Sequence, residues 1–132
     1  MSRGPDTGLP ARALAWAATT VVLALSLMRV DTPPEVDAFN LDKLVHAAMY
    51  GTLMALHART RPRALWGRVA LALAAYGAVI EVLQGLTPYR SASLLDALAN
   101  AAGISIMLWV LALRARQARD GRHDPLQTGP HP

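Results

Sequence analysis

The stretch VALALAAYGAVIEVLQGL, residues 69–86, decides the fold. Placed on a helix, it is apolar nearly all the way round rather than along one stripe. A soluble four-helix protein would keep a polar face on such a helix, so the pattern weighs toward lipid. Two side chains, Glu81 and Gln84, interrupt it. They raise the functional question, because an ionisable group in an apolar span is costly unless it faces protein or water.

Working outward from this stretch, Thr32-Pro33-Pro34, Arg61-Pro62-Arg63 and Thr87-Pro88 punctuate the chain. Proline lacks the amide hydrogen that a helix interior needs. The apolar segments between these breaks predict helices over 13–30, 41–58, 65–86 and 93–115, an all-α four-helix transmembrane bundle filling residues 13–116. Residues 1–12 read as a flexible tail and 117–132 as a disordered one, both rich in Gly and Pro. Spanning takes about 20 residues. The third and fourth segments meet that directly. The first is short but flanked by Arg12 and Arg29, which can snorkel. The second is the weakest span, because its first turn is polar. Ala24-Leu25-Ser26 loosely resembles a signal cleavage site, but more membrane-like helix follows it, not a soluble domain.

With 132 residues the chain makes one small domain. Hydrophobic residues are 53% and charged residues 17%, against about 25% charged in an average soluble domain. The absence of cysteine excludes disulfides, thiolate metal sites and cysteine nucleophiles. The net charge of +4 does not point to nucleic acid, because of where the charges sit. With four spans, Arg3, Arg12, Arg59, Arg61, Arg63, Arg68, Arg114, Arg116, Arg119 and Arg122 share one side, and Arg29, Lys43 and Arg90 the other. The positive-inside rule makes the first side, with both termini, cytoplasmic. Arginines bordering the bilayer suit anionic lipid heads. Trp16, Trp66 and Trp109 fall near the same boundary, as interfacial aromatics do.

This topology brings the polar residues of three helices to one depth, away from the cytoplasm. Asp42, Lys43, His46 and Tyr50 start the second helix, Glu81 and Gln84 end the third, and Ser93, Asp96, Asn100 and Gly103 start the fourth after Arg90. Asp42, His46 and Tyr50 recur at i, i+4, i+8, and Asp96, Asn100 and Gly103 at i, i+4, i+7, so each set shares a helix face. Plain structural readings stand beside a functional one. Asn40 and Asp42 can be a cap and a first-turn acid. Ser93-Leu94-Leu95-Asp96 fits a capping box. Arg90 can snorkel, His46 can be a structural hydrogen-bonder, and Asn100 with Gly103 can join helices. Glu81 caps nothing and sits in an apolar run, so an ion pair with Arg90 or Lys43 is its best structural account. Otherwise a carboxyl in this setting suits general acid–base work.

The ordered set Asp42-Lys43-x-x-His46-x-x-x-Tyr50, Glu81-x-x-Gln84 and Pro88-x-Arg90-x-x-Ser93-x-x-Asp96-x-x-x-Asn100-x-x-Gly103 resembles the VanZ-like family of small bacterial integral membrane proteins. Tyr89 departs from it where relatives often carry glycine, and Met107 where another small residue is common. The resemblance implies a multi-pass protein of the bacterial cytoplasmic (inner) membrane with a role in the cell envelope, in a family associated with resistance to the glycopeptide teicoplanin.

Three functions compete. In the first, a polar pocket under the outer surface binds or modifies an envelope component, with the bilayer and a lipid-linked cell-wall precursor or lipoglycopeptide as partners. Glu81, His46 and Asp96 are then the catalytic candidates, and Asp42, Lys43, Tyr50, Gln84, Arg90, Ser93 and Asn100 the binding ones. Lys43 and Arg90 would engage an anionic head group such as phosphate. In the second, the cluster is an ion-pair network that fixes a non-catalytic scaffold, and function lies in helix contacts. The third, a small transporter, lacks visible inverted repeats. No cofactor is expected. His46 among carboxylates permits a metal, but no ligand spacing demands one.

Overall fold

The computed structural model describes residues 8–28, 38–88 and 92–121, with the side chains of 38–40 left aside. Tyr89, Arg90, the Thr32-Pro33-Pro34 break and the outer parts of both expected tails lie outside the described residues. The elements are α1 (Leu9–Leu27), α2 (Ala38–Arg59), a 3₁₀ turn (Arg63–Leu65), α3 (Trp66–Gly85) and α4 (Leu94–Asp120). Among the described residues there is no strand. The all-α reading holds, with four long helices.

Two boundaries differ most from the sequence reading. Helix α1 begins at Leu9, inside the stretch read as tail, with Pro10 in its first turn. Proline suits that position, where its missing amide hydrogen has no partner to lose. Helix α4 runs past 115 to Asp120. Its last turns, Arg114-Ala115-Arg116-Gln117-Ala118-Arg119, consist of strong helix formers.

Three helices are long and apolar enough to cross a membrane, those at Leu9–Leu27, Arg63–Gly85 and Leu94–Asp120. Helix α2 is long enough at 22 residues but too polar, carrying Asp42, Lys43, His46, His57 and Arg59. Its burial explains this. Helix α2 supplies Tyr50, Leu53, Met54 and Ala58 to the core cluster, where Val22 of α1, Leu73 of α3 and Ile104 of α4 meet them. Of its polar side chains, His46 and His57 are buried against protein.

The distribution of polarity is inverted relative to a soluble domain. Leu71 is 72% exposed, Val82 63% and Ile106 61%, while Glu81, Gln84, Asp96 and Asn100 are buried. Soluble monomers seldom expose contiguous apolar surface of this extent, whereas a lipid-facing surface is apolar by necessity.

Small residues bring α2 and α4 together, the role such residues play in membrane helix pairs. A Cβ on Gly103 would overlap the Ala47 carbonyl, and one on Gly51 would stand 3.2 Å from the Gly103 carbonyl oxygen. Met107, one turn on, packs at the edge of the core cluster. Helix α1 is tied on by polar contacts. Tyr76 Oη donates to the Thr19 carbonyl (2.7 Å) and Gln84 Nε2 to the Ser26 carbonyl (2.8 Å). The α2–α3 turn is pinned by Trp66 Nε1 donating to the Ala58 carbonyl (3.1 Å) and Arg63 Nη1 to the Ala115 carbonyl (3.1 Å).

Candidate functional site

The start of α2 and the start of α4 lie side by side, and their charged residues meet. The Lys43 ammonium bridges Asp42 Oδ2 (3.0 Å) and Asp96 Oδ1. His46, 4% exposed, joins its Nδ1 to Asn100 Oδ1 at 3.0 Å. With the Asn100 oxygen accepting, Nδ1 carries the hydrogen, and in the neutral ring Nε2 keeps a lone pair. That Nε2 faces two carboxylates, Asp42 Oδ1 at 3.7 Å and Asp96 Oδ2 at 4.0 Å. The spacing of Asp42 and His46 on one face of α2, and of Asp96 and Asn100 on one face of α4, builds this network.

Glu81 enters from α3 in a way the sequence does not show. The N-cap of α4 is Ser93, whose side chain accepts from the Asp96 amide (3.3 Å), half of a capping box. In the complete motif the Asp96 side chain would return to the Ser93 amide. Here Glu81 Oε2 takes that amide at 3.0 Å. Helix α3 therefore finishes the cap of α4, which leaves Asp96 to face Lys43 and His46. Among the described residues Glu81 has no ion-pair partner within 4.0 Å; contrary to the sequence reading that it caps nothing and pairs with Lys43, it caps the neighbouring helix, which periodicity within α3 does not reveal.

Beneath the charged layer, buried atoms have hydrogen-bonding capacity to spare. Tyr50 Oη, Glu81 Oε1 and Asn100 Nδ2 have no hydrogen-bond partner among the described residues. Gly77 makes room for two of these groups, since a Cβ there would lie 3.0 Å from the Tyr50 ring and 3.2 Å from Asn100 Nδ2. Gly77 lies one turn before Glu81 on the same helix face, the signal that could have singled it out in the sequence. Each unpaired buried group costs about 1–3 kcal/mol, and native proteins keep few of them.

The structure thus joins Asp42, Lys43, His46, Asp96 and Asn100 directly, links Glu81 with Ser93, and sets Tyr50 one layer deeper. Gln84 is not part of the network. It is buried at the same end but turned to α1, where it holds the Ser26 carbonyl. Arg90 lies outside the described residues. Asp42, His46 and Asp96 each offer an atom within 4.8 Å of the others, a set that could hold a metal ion. Asn100 on Nδ1 would fix the ring of such a ligand. Lys43 already supplies a cation to both carboxylates.

The site on α2 and α4 and the Glu81 cap fall within residues 11–115, the span that matches the VanZ/LLP1 family model, which also holds all of α3 and most of α1 and α4. That range is broader than the polar motifs alone, because it takes in most of α1. No curated protein and no solved structure matches the chain closely enough to add to this. An apolar bundle with its ionisable groups turned inward at one end, matched over that length, belongs to the VanZ/LLP1 family.

Proposed function

We propose that this membrane protein of the VanZ/LLP1 family binds an anionic, lipid-linked component of the cell envelope in the polar end of its bundle. The observation that carries this reading is the set of unpaired buried atoms, Tyr50 Oη, Glu81 Oε1 and Asn100 Nδ2, beside the Lys43–Asp42–Asp96–His46 network. Lys43 meets the anion, and Arg90, between α3 and α4 in the sequence, is the second basic candidate. His46 and Glu81 are the groups for proton transfer if a bond is broken, and Asp96 positions Lys43 and His46. The arginine asymmetry supports an extracytoplasmic setting in the bacterial cytoplasmic membrane, and the family resemblance supports a link to lipoglycopeptide resistance.

The decisive variant is Tyr50→Phe, assayed by titrating a polyprenyl phosphate into the full chain in nanodiscs. Removing an unpaired hydroxyl leaves the protein as stable or more so. The binding reading expects weaker binding with unchanged abundance. Unchanged binding in this variant and in Glu81→Gln would overturn it. Orientation is tested separately. The chain has no cysteine, so single cysteines at Ser91 and Gln117 can be labelled in intact cells with an impermeant maleimide. Labelling at Ser91 alone is expected. Teicoplanin susceptibility with and without expression tests the resistance link.

A second reading, a non-catalytic scaffold held by an ion-pair network, is favoured by the paired charges of Lys43 and by the Glu81 cap. It expects Asp96→Asn to lower abundance while Tyr50→Phe changes no function.

A further inference from the structure

At the other end of the bundle a cavity of about 530 Å³ opens between α1, the end of α2 and the start of α3. That volume lies within the usual range for a small-molecule site. Trp16, Thr19, His57, Arg61, Arg68 and Tyr76 are among its lining residues, the rest being aliphatic.

Its walls are fixed by hydrogen bonds. Thr19 Oγ1 donates to the Ala15 carbonyl (2.9 Å), so its one hydrogen is spent and it accepts from His57 Nε2 at 2.9 Å. Tyr76 Oη reaches the Thr19 carbonyl from α3. Trp16 stands edge-on to His57, with ring centroids 5.2 Å apart. One residue of α1 therefore fastens both α2 and α3 behind an apolar hollow. Arg61 and Arg68 flank it where the α2–α3 turn leaves the apolar zone. Among the described residues neither arginine forms an ion pair with a carboxylate within 4.0 Å.

We infer that this cavity is a binding site for an anionic phospholipid, with acyl chain against the aliphatic lining and Trp16, and phosphate on Arg61 and Arg68. The charge pattern selects this occupant. An apolar hollow on a membrane helix bundle receives lipid chains of every class, but two cations without carboxylate partners at its mouth favour a net negative head group. Basic pockets between membrane helices recognise such heads. This goes beyond the general attraction of border arginines to the bilayer, because it assigns the preference to two of them.

The test uses the full chain in nanodiscs of phosphatidylglycerol and phosphatidylcholine, followed by delipidation and native mass spectrometry. Each arginine near a head group is worth about fivefold in lipid partition, so the wild type is expected to retain phosphatidylglycerol over phosphatidylcholine by roughly 25-fold. The double variant Arg61→Gln/Arg68→Gln is expected to retain both lipids about equally. Arg114→Gln/Arg119→Gln removes the same charge outside the cavity and is expected to keep the preference. Ala72→Trp, which fills the hollow from an exposed position on its lining, is expected to lose both lipids. Equal retention by the wild type overturns the inference. So does an equal loss in the Arg114/Arg119 control, which would make the preference diffuse charge. Displacement of the lipid by millimolar inorganic phosphate overturns it in favour of a free anion, and a lipid-free dimer overturns it in favour of a second copy.

Discussion

Two buried histidines lie three turns apart on α2, and their surroundings could hardly differ more. His46 sits among Asp42, Asp96 and Asn100, with a lysine bridging the carboxylates. His57 sits among a hydroxyl, an indole and arginines, with no carboxylate within 4.0 Å among the described residues. The same residue type on the same helix is built into a charge-rich network at one end and into the wall of an apolar hollow at the other. Burial of a titratable group therefore says little about its use. The sign of the charges around it says more: carboxylates and a lysine surround His46, and arginines border the hollow at His57.

The largest expected effect removes both ends at once. Gly103→Leu places side-chain atoms where the Ala47 carbonyl stands. A rigid backbone cannot yield to it, and the loss should be about 3 kcal/mol or more, seen as failure to purify a monodisperse protein. An undisturbed Gly103→Leu protein would mean that the α2–α4 crossing does not set the two ends apart.

Next in size is Asp96→Asn, which acts at the His46 end alone. It leaves Lys43 with Asp42, whose side chain is far more exposed, and should cost about 2 kcal/mol. The double variant Lys43→Gln/Asp96→Asn should recover part of that loss in thermal melts. The melt of His57→Gln, by contrast, should not depend on Asp96, because no carboxylate links the two ends. Strong coupling between these two substitutions would erase the distinction drawn above.

A smaller loss is expected for Glu81→Ala, about 1 kcal/mol, since α4 then loses the acceptor for its Ser93 amide. Glu81→Gln retains a carbonyl oxygen at that point and should melt close to the wild type. A large loss in Glu81→Gln would assign Glu81 an ion pair outside the described residues. Smallest, and of opposite sign, is Tyr50→Phe, which should stabilise by about 1 kcal/mol or leave stability unchanged.

Much of this was legible in the sequence, for identifiable reasons. Apolar residues all round 69–86 and 94–113 mark spans, because only lipid or a large core accepts such a helix. Asp42 with His46, and Asp96 with Asn100, share faces by local periodicity, and the proline breaks turned those faces toward a common end. What stayed hidden depends on contacts between helices. Glu81 and Gln84 look like one stripe, but a three-residue step turns the side chain about 60° from the first, enough to aim Glu81 at α4 and Gln84 at α1. The Ser93-Asp96 pattern is a capping motif in isolation, and no local rule announces that a third helix supplies its second half. Gly77 is one small residue among many until Tyr50 and Asn100 are seen beside it.

The shared cap also bears on how the chain is made. Glu81 and the Ser93 amide are 12 residues apart, so a nascent chain satisfies this buried oxygen as soon as the α3–α4 hairpin turns. The His46–Asn100 bond spans 54 residues and must wait for α2 and α4 to find each other across the whole of α3. Closing the short loop costs less chain entropy, so the cap favours early pairing of α3 with α4. The charged site, made of residues from α2 and α4, carries the larger closure cost.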